Sequence, residues 1–216
     1  MCNLYSMTKG QAAIIAMARA MVDRTGNLPP MPGIFPDYPA PIVRNEPGGR
    51  VLALARWGMP TPPALLSASK RDPGVTNIRN VKSPHWGRWL RVEHRCVVPF
   101  TSFSEFNKAE GGDIWFAFND NRPLAFFAGI WIPQWKSIRK IKEGETTNDL
   151  FGFLTTEPNA EVGAIHPKAM PVILTKPEQI ETWLTGEPAD ALKLQTPLPD
   201  EALKIVARRE KEDGLT

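Results

Sequence analysis

The chain has 216 residues, 42% of them hydrophobic and 23% charged, with two cysteines, 22 prolines and 16 glycines. That length allows one sizeable core or two small ones, and the composition excludes collagen, a coiled coil and a fully disordered chain. The 26 Lys and Arg nearly cancel the 23 Asp and Glu to leave +3, yet the charge is unevenly spread. Residues 70–95 carry Lys70, Arg71, Arg79, Lys82, Arg88, Arg91 and Arg95 against Asp72 and Glu93, a local balance of +5 that leaves −2 for the remainder. Cys2 and Cys96 cannot build a disulfide scaffold, and without a C-x-x-C or H-E-x-x-H motif no metal or cofactor is expected. The start lacks the basic and apolar regions of a secretory signal, and no stretch approaches 18 apolar residues. A reduced, cytoplasmic protein without membrane association is the expectation.

In chain order, Ile14, Ala18, Met21 and Val22 at helical spacing predict a helix from about Thr8 to Arg24, stopped by Gly26-Asn27. Pro29, Pro30, Pro32, Pro36, Pro39, Pro41 and Pro47 then argue against a central strand. Interleaved Met31, Ile34, Phe35, Tyr38, Ile42 and Val43 make that stretch an ordered wrap rather than a linker. Strand-like runs follow at 51–57, 95–100, 103–107, 114–118, 124–132, 151–155 and 170–174. Gly111-Gly112-Asp113 and Asn119-Asp120-Asn121 read as hairpin turns. Ser83-Pro84 opens a short helix to Leu90, and a capping box at Thr175-Lys176-Pro177-Glu178 opens a later one. The alternating charges of 208–213 suggest a frayed tail. The order of elements predicts an α+β fold, one domain over residues 2–216 with a mixed barrel-like or sandwich β core flanked by helices.

Cys2 is the most informative residue. With Met1 removed, as is usual when the second residue is small, the chain would begin with a thiol and an α-amine on adjacent carbons. Their reference pKa values, ~8.5 and ~7.7–8.0, give both an accessible nucleophilic form near neutrality, unlike a Lys amine near ~10.4. Such a pair traps an aldehyde twice, first as a Schiff base and then, by thiol addition to the imine, as a thiazolidine. The plain alternative is a cysteine that merely occupies position 2. Glu105, flanked by Phe103 and Phe106, is a proton shuttle if buried and a solvent-facing strand residue if the alternation points it outward. His166, in a proline-bounded apolar turn, is an acid/base candidate or a structural histidine. In the basic stretch, Asn77 and Arg79 offer an amide and a phosphate fork, and Trp57, Trp86 and Trp89 offer stacking faces; the alternative is a solvated surface.

Met1-Cys2, Ala40-Pro41 with Arg44, Arg56-Trp57-Gly58-Met59-Pro60, Asn77-Ile78-Arg79, Phe103-Ser104-Glu105-Phe106, and His166 ahead of Met170-Pro171-Val172-Ile173-Leu174 occur in this order. Together they resemble the SOS-response-associated peptidase (SRAP) family, whose members crosslink covalently to abasic sites in single-stranded DNA. The resemblance covers most of the chain and implies a compact α+β domain with Cys2, Asn77, Glu105 and His166 meeting at the floor of a basic groove. It further implies that Cys2 forms the thiazolidine, His166 favours the open sugar, Glu105 moves protons and Asn77 positions the mature terminus. Arg79 would bind phosphate, Pro41 and Trp57 would lie where DNA is kinked, and Lys168 stands where the family has Arg. The implied partner is single-stranded DNA containing abasic sites, the implied setting the nucleoid, and the default state a monomer. Asn3-Leu4 replaces the family's usual Gly-Arg, and Thr61-Pro62-Pro63 replaces a Trp. Two rival readings are a cysteine peptidase or amidase using Cys2 and a non-covalent single-strand binding module.

Overall fold

The computed structural model describes residues 2–66 and 71–213. Behind Cys2, β1 (Leu4–Met7) is followed by α1 (Gln11–Ala18), β2 (Val22–Asp23) and β3 (Met31–Ile34). The hairpin of β4 (Pro39–Glu46) and β5 (Gly49–Trp57) precedes β6 (Asn77–Ile78) and α2 (Pro84–Gly87). Then come β7 (Arg95–Phe100), β8 (Ser102–Asn107), β9 (Gly112–Ala117), β10 (Ala125–Ser137) and β11 (Thr146–Thr156). The order ends with α3 (Ala160–Gly163), β12 (Met170–Pro171), β13 (Ile173–Leu174), α4 (Pro177–Thr185), α5 (Pro188–Ala191) and β14 (Lys204–Arg208).

Five strands close on themselves. β5 pairs β4, β4 pairs β7, β7 pairs β10 and β10 pairs β11, all antiparallel, and the parallel pairing of β11 with β5 completes a mixed barrel. Closure gives every strand of the ring a neighbour on both sides, and the inward side chains fill it. A second sheet, in the order β14-β9-β8-β1-β3, packs beside it. From that sheet the Tyr5 ring sits edge-on to Trp57, Phe127 and Phe153 at 5.0, 5.6 and 6.1 Å. One aromatic core thus serves both layers, and it fixes the amino-terminal strand against the barrel. Cys96 is buried on β7, as its apolar setting in the sequence predicts.

α4 seals the other side with Ile180, Trp183 and Leu184. The Trp183 indole donates to the carbonyls of Cys96 and Gly129 at 2.8 and 3.0 Å. Gly129 is needed there for a second reason. A Cβ at this position would come within 2.9 Å of Cys96 Sγ and 3.1 Å of the Gly152 carbonyl. Gly129→Ala should therefore cost about 1–3 kcal/mol by overpacking, read as a lower midpoint of denaturant unfolding; an unchanged midpoint would show that the barrel wall can yield.

Several expected elements come out differently. The first helix stops at Ala18 because Arg19 takes a left-handed backbone (φ 53°), after which Met21 and Arg24 donate to β5 carbonyls and the chain runs as β2. The proline-rich stretch contains a barrel strand, β4. Trp57 N–H donates to the Tyr38 carbonyl, so even-numbered backbone groups face β5 while Pro39 and Pro41 turn their missing donors to the other side. On that side β7 pairs only with Val43 and Arg44, so no ladder bond is lost. The alternative of a sandwich is replaced by a barrel plus a sheet. In the α4 cap the reciprocating side chain is Gln179, whose Oε1 accepts from the Thr175 and Lys176 amides at 2.9 and 3.1 Å.

The tail does not fray before 213. β14 pairs with β9, and Asp213 is buried, accepting from Ser102 Oγ at 2.5 Å and from Arg122 Nε and Nη2 at 2.6 and 2.7 Å. Charge alternation in sequence gave no hint of this pairing, which depends on a side chain more than 90 residues away.

Candidate active site at the amino-terminal strand

Pairing of β1 with β8 sets Leu4 opposite Ser104, so Cys2 runs out past the end of β1 alongside Glu105. β6 pairs with β11 in parallel, bringing Asn77 opposite Phe153. Asn77 Nδ2 donates to the Cys2 carbonyl at 2.7 Å. His166 arrives from the turn after α3, its Nδ1 3.9 Å from Glu105 Oε2. Elements from four parts of the chain therefore converge on Cys2, Asn77, Glu105 and His166, the four residues the sequence singled out.

Each is tuned by its surroundings. Glu105 is 2% exposed, and burial pushes its carboxyl from 4.5 up to about 7. A carboxyl poised there exchanges protons near neutrality, as general acid/base work requires. The Cys2 thiol, fully buried, is held well above its usual range by burial first and the Glu105 charge second, and Sγ donates to the Leu4 carbonyl at 3.5 Å. It is therefore a neutral thiol in this state. Burial also lowers the His166 pKa, so the ring is neutral at pH 7; Nδ1 donates to the Ala169 carbonyl at 3.1 Å and Nε2 is the basic nitrogen. The 3.9 Å approach to Glu105 is too long for a hydrogen bond, and desolvation outweighs it.

The expected DNA-facing residues divide. Lys168 is exposed beside His166 and lowers its pKa further. Arg79 is exposed just beyond β6, paired with exposed Glu157 at 2.9 Å, a surface contact a phosphate can replace. Trp57 and Pro41 present no exposed face. Trp57 is 1% exposed, stacked on Phe153 and Phe151 inside the barrel, and Pro41 is buried in β4; neither offers a face for a base. The same holds for Trp86 and Trp89, both buried. Nor is the basic stretch one surface track. Arg95 is buried, donating to the carbonyls of Leu90, Trp183 and Gly186, Arg91 pairs with Glu93, and Lys70 lies outside the described residues.

Two partners were not evident from sequence. Gln195 Nε2 bridges the carbonyls of Arg79 and Thr155, both at 2.9 Å, and Thr76 Oγ1 accepts from Asn77. Position next to Asn77 was the only available signal for Thr76, and Gln195 had none. Among the described residues no helix is long and apolar enough to cross a membrane, and no group of three His, Cys, Asp or Glu is placed to hold a metal ion.

A closed mixed barrel with a second sheet beside it, whose first strand is preceded by a buried cysteine next to a glutamate, an asparagine and a histidine, defines an α+β protein with a thiol site near its amino terminus. A family model described as SOS response associated peptidase (SRAP) matches residues 1–210, and the chain belongs to that family. No curated protein matches it. Three crystal structures share the fold. One protein from Bacteroides thetaiotaomicron superposes with a TM-score of 0.65 at 22% identity, over 94% of this chain and 90% of that one. One from Bordetella bronchiseptica does so at 0.66 and 22%, over 94% and 97%, and a phage-related protein from the same organism at 0.65 and 17%, over 94% and 92%.

Proposed function

We propose that the chain, once Met1 is removed, crosslinks through Cys2 to abasic sites in single-stranded DNA and so shields the lesion during the damage response. The observation that carries this reading is the placing of a carboxyl with a pKa of about 7 next to a cysteine at the amino terminus. In the open-chain sugar the Cys2 amine adds to the aldehyde carbon. Glu105, protonated, gives its proton to the departing hydroxyl, so that water leaves and an imine forms. The imine is formed with its nitrogen still protonated; the thiol adds to its carbon as its own proton returns to Glu105, and the neutral thiazolidine ring closes. The net reaction releases one water. His166, neutral and with Nε2 as base, suits deprotonation of the sugar hydroxyl that opens the ring. Arg79 and Lys168 supply phosphate contacts at the rim.

A hydrolytic cysteine would need a depressed thiol pKa and an imidazole bonded to sulfur. Here burial raises the Cys2 pKa, which favours amine-first capture over peptidase chemistry. The test is incubation of processed protein with a single strand bearing one abasic site. A heat-stable adduct heavier than the protein by one strand less one water is expected, absent in Cys2→Ala. An adduct that survives Cys2→Ala, or none with wild type, would sink the reading.

A further inference from the structure

Asn77 is held by groups that take no part in the chemistry just described. The Cys2 carbonyl can only accept, so the carboxamide must turn its nitrogen toward it, and Nδ2 lies 2.7 Å away. The other N–H of that nitrogen goes to Thr76 Oγ1 at 2.8 Å. A hydroxyl that accepts there still has its own proton to give, and Asn3 Oδ1 stands 3.2 Å away to take it. One acceptor-only group thus dictates the direction of all three bonds. Thr76 is anchored in turn through its backbone, its carbonyl accepting from the Trp57 indole at 3.3 Å and the Phe153 amide at 3.2 Å. Trp57 is wedged among Tyr5, Phe151 and Phe153 in the barrel interior. A continuous brace therefore runs from the aromatic core through Trp57 and Thr76 to Asn77 and the amino-terminal residues. With Nδ2 committed twice, Asn77 Oδ1 is buried and has no partner among the described residues, leaving an acceptor open in the site.

We propose that Thr76, backed by Trp57, is a positioning residue for the Cys2 centre: its hydroxyl fixes which way the Asn77 carboxamide points and keeps Asn77 Oδ1 as an open acceptor there. This gives Trp57 a part in the site that needs no exposed face. It also gives Asn3, an exposed residue, a bond to Thr76 in this chain. The inference rests on reading Cys2 as the reacting residue.

Thr76→Val keeps the shape and deletes the hydroxyl, Thr76→Ser keeps the hydroxyl, and Trp57→Phe keeps a ring and deletes the indole N–H. In the adduct assay Thr76→Val should slow capture roughly tenfold, the equivalent of one hydrogen bond, and Thr76→Ser should stay within about twofold of wild type. Trp57→Phe should fall between them. In protein labelled with nitrogen-15 at asparagine, the Asn77 side-chain protons should exchange with solvent about tenfold faster in Thr76→Val than in wild type or Thr76→Ser. Wild-type capture by Thr76→Val, equal slowing in the serine variant, or unchanged exchange would each overturn the inference. A wild-type protein that makes no adduct sinks the crosslinking reading alone, and the exchange comparison then still decides the brace.

Discussion

Glu105→Gln should give a protein that is more stable at pH 8 and nearly unreactive. Burial raises the folded-state pKa of Glu105 from 4.5 to about 7, so ionisation is penalised by folding. Below 4.5 both the folded and unfolded chains keep the proton, and wild type has its full stability. As pH rises toward about 7 the unfolded chain releases the proton and the folded chain does not, so stability is lost across that window and levels off above it. The gap between 4.5 and about 7 corresponds to about 3 kcal/mol. The glutamine side chain has no proton to lose, so the variant should gain up to that amount at pH 8, or roughly 6–12 °C in Tm, and nothing at pH 4. The same change removes the group that protonates the leaving hydroxyl, and capture of an abasic strand should fall about 10²–10³-fold. Melting curves at the two pH values and a time course of adduct formation check both halves. Equal Tm at pH 8, or an equal difference at both pH values, would contradict the assignment of a neutral buried carboxyl.

Asp213→Ala should be the most damaging change far from the site. The Asp213 side chain is 2% exposed and the Arg122 side chain 15%, and their contact is bidentate. Ser102 Oγ gives the same carboxylate a third bond, while Ser6 Oγ donates to the Asp213 carbonyl at 3.1 Å and the Asp213 amide to the Pro32 carbonyl at 2.9 Å. Removing the carboxylate strands a largely buried guanidinium and a buried hydroxyl, at a cost of about 3–5 kcal/mol. A Tm lower by roughly 10 °C is expected, with Asp213→Asn, which keeps the shape and part of the hydrogen bonding, in between. A loss below about 1 kcal/mol would mean that water replaces the carboxylate without penalty.

The sequence made the long barrel strands legible, because 95–100 and 124–132 are runs rich in apolar, β-branched and aromatic residues, as strands buried on both faces require. Residue chemistry alone left Cys2, Glu105, His166 and Asn77 each with a plain structural alternative, and it was the family resemblance that grouped them as one site. What the sequence hid were features that need a partner remote in the chain. Pro39 and Pro41 looked incompatible with a strand until pairing showed that their missing donors face the side where β7 no longer pairs with β4. Asp213 looked like one more alternating charge until Arg122 and Ser102 met it. Trp57 and Trp89 looked like stacking faces because composition cannot distinguish a tryptophan beside cations on a surface from one behind them. The residues of the site were readable one by one; their mutual orientation, set by Thr76 and by the register of β1 on β8, was not.

The pairing of β1 with β8 joins the first strand made to one completed about 100 residues later, and Asp213 adds a bond to Ser6 only when synthesis is almost finished. At roughly 5–20 residues per second, the amino terminus spends several seconds or more without its β8 partner. During that interval the end of the chain is accessible; afterwards Cys2 is fully buried. The strand that carries the proposed reacting residue is therefore the first to be made and among the last to be locked in place.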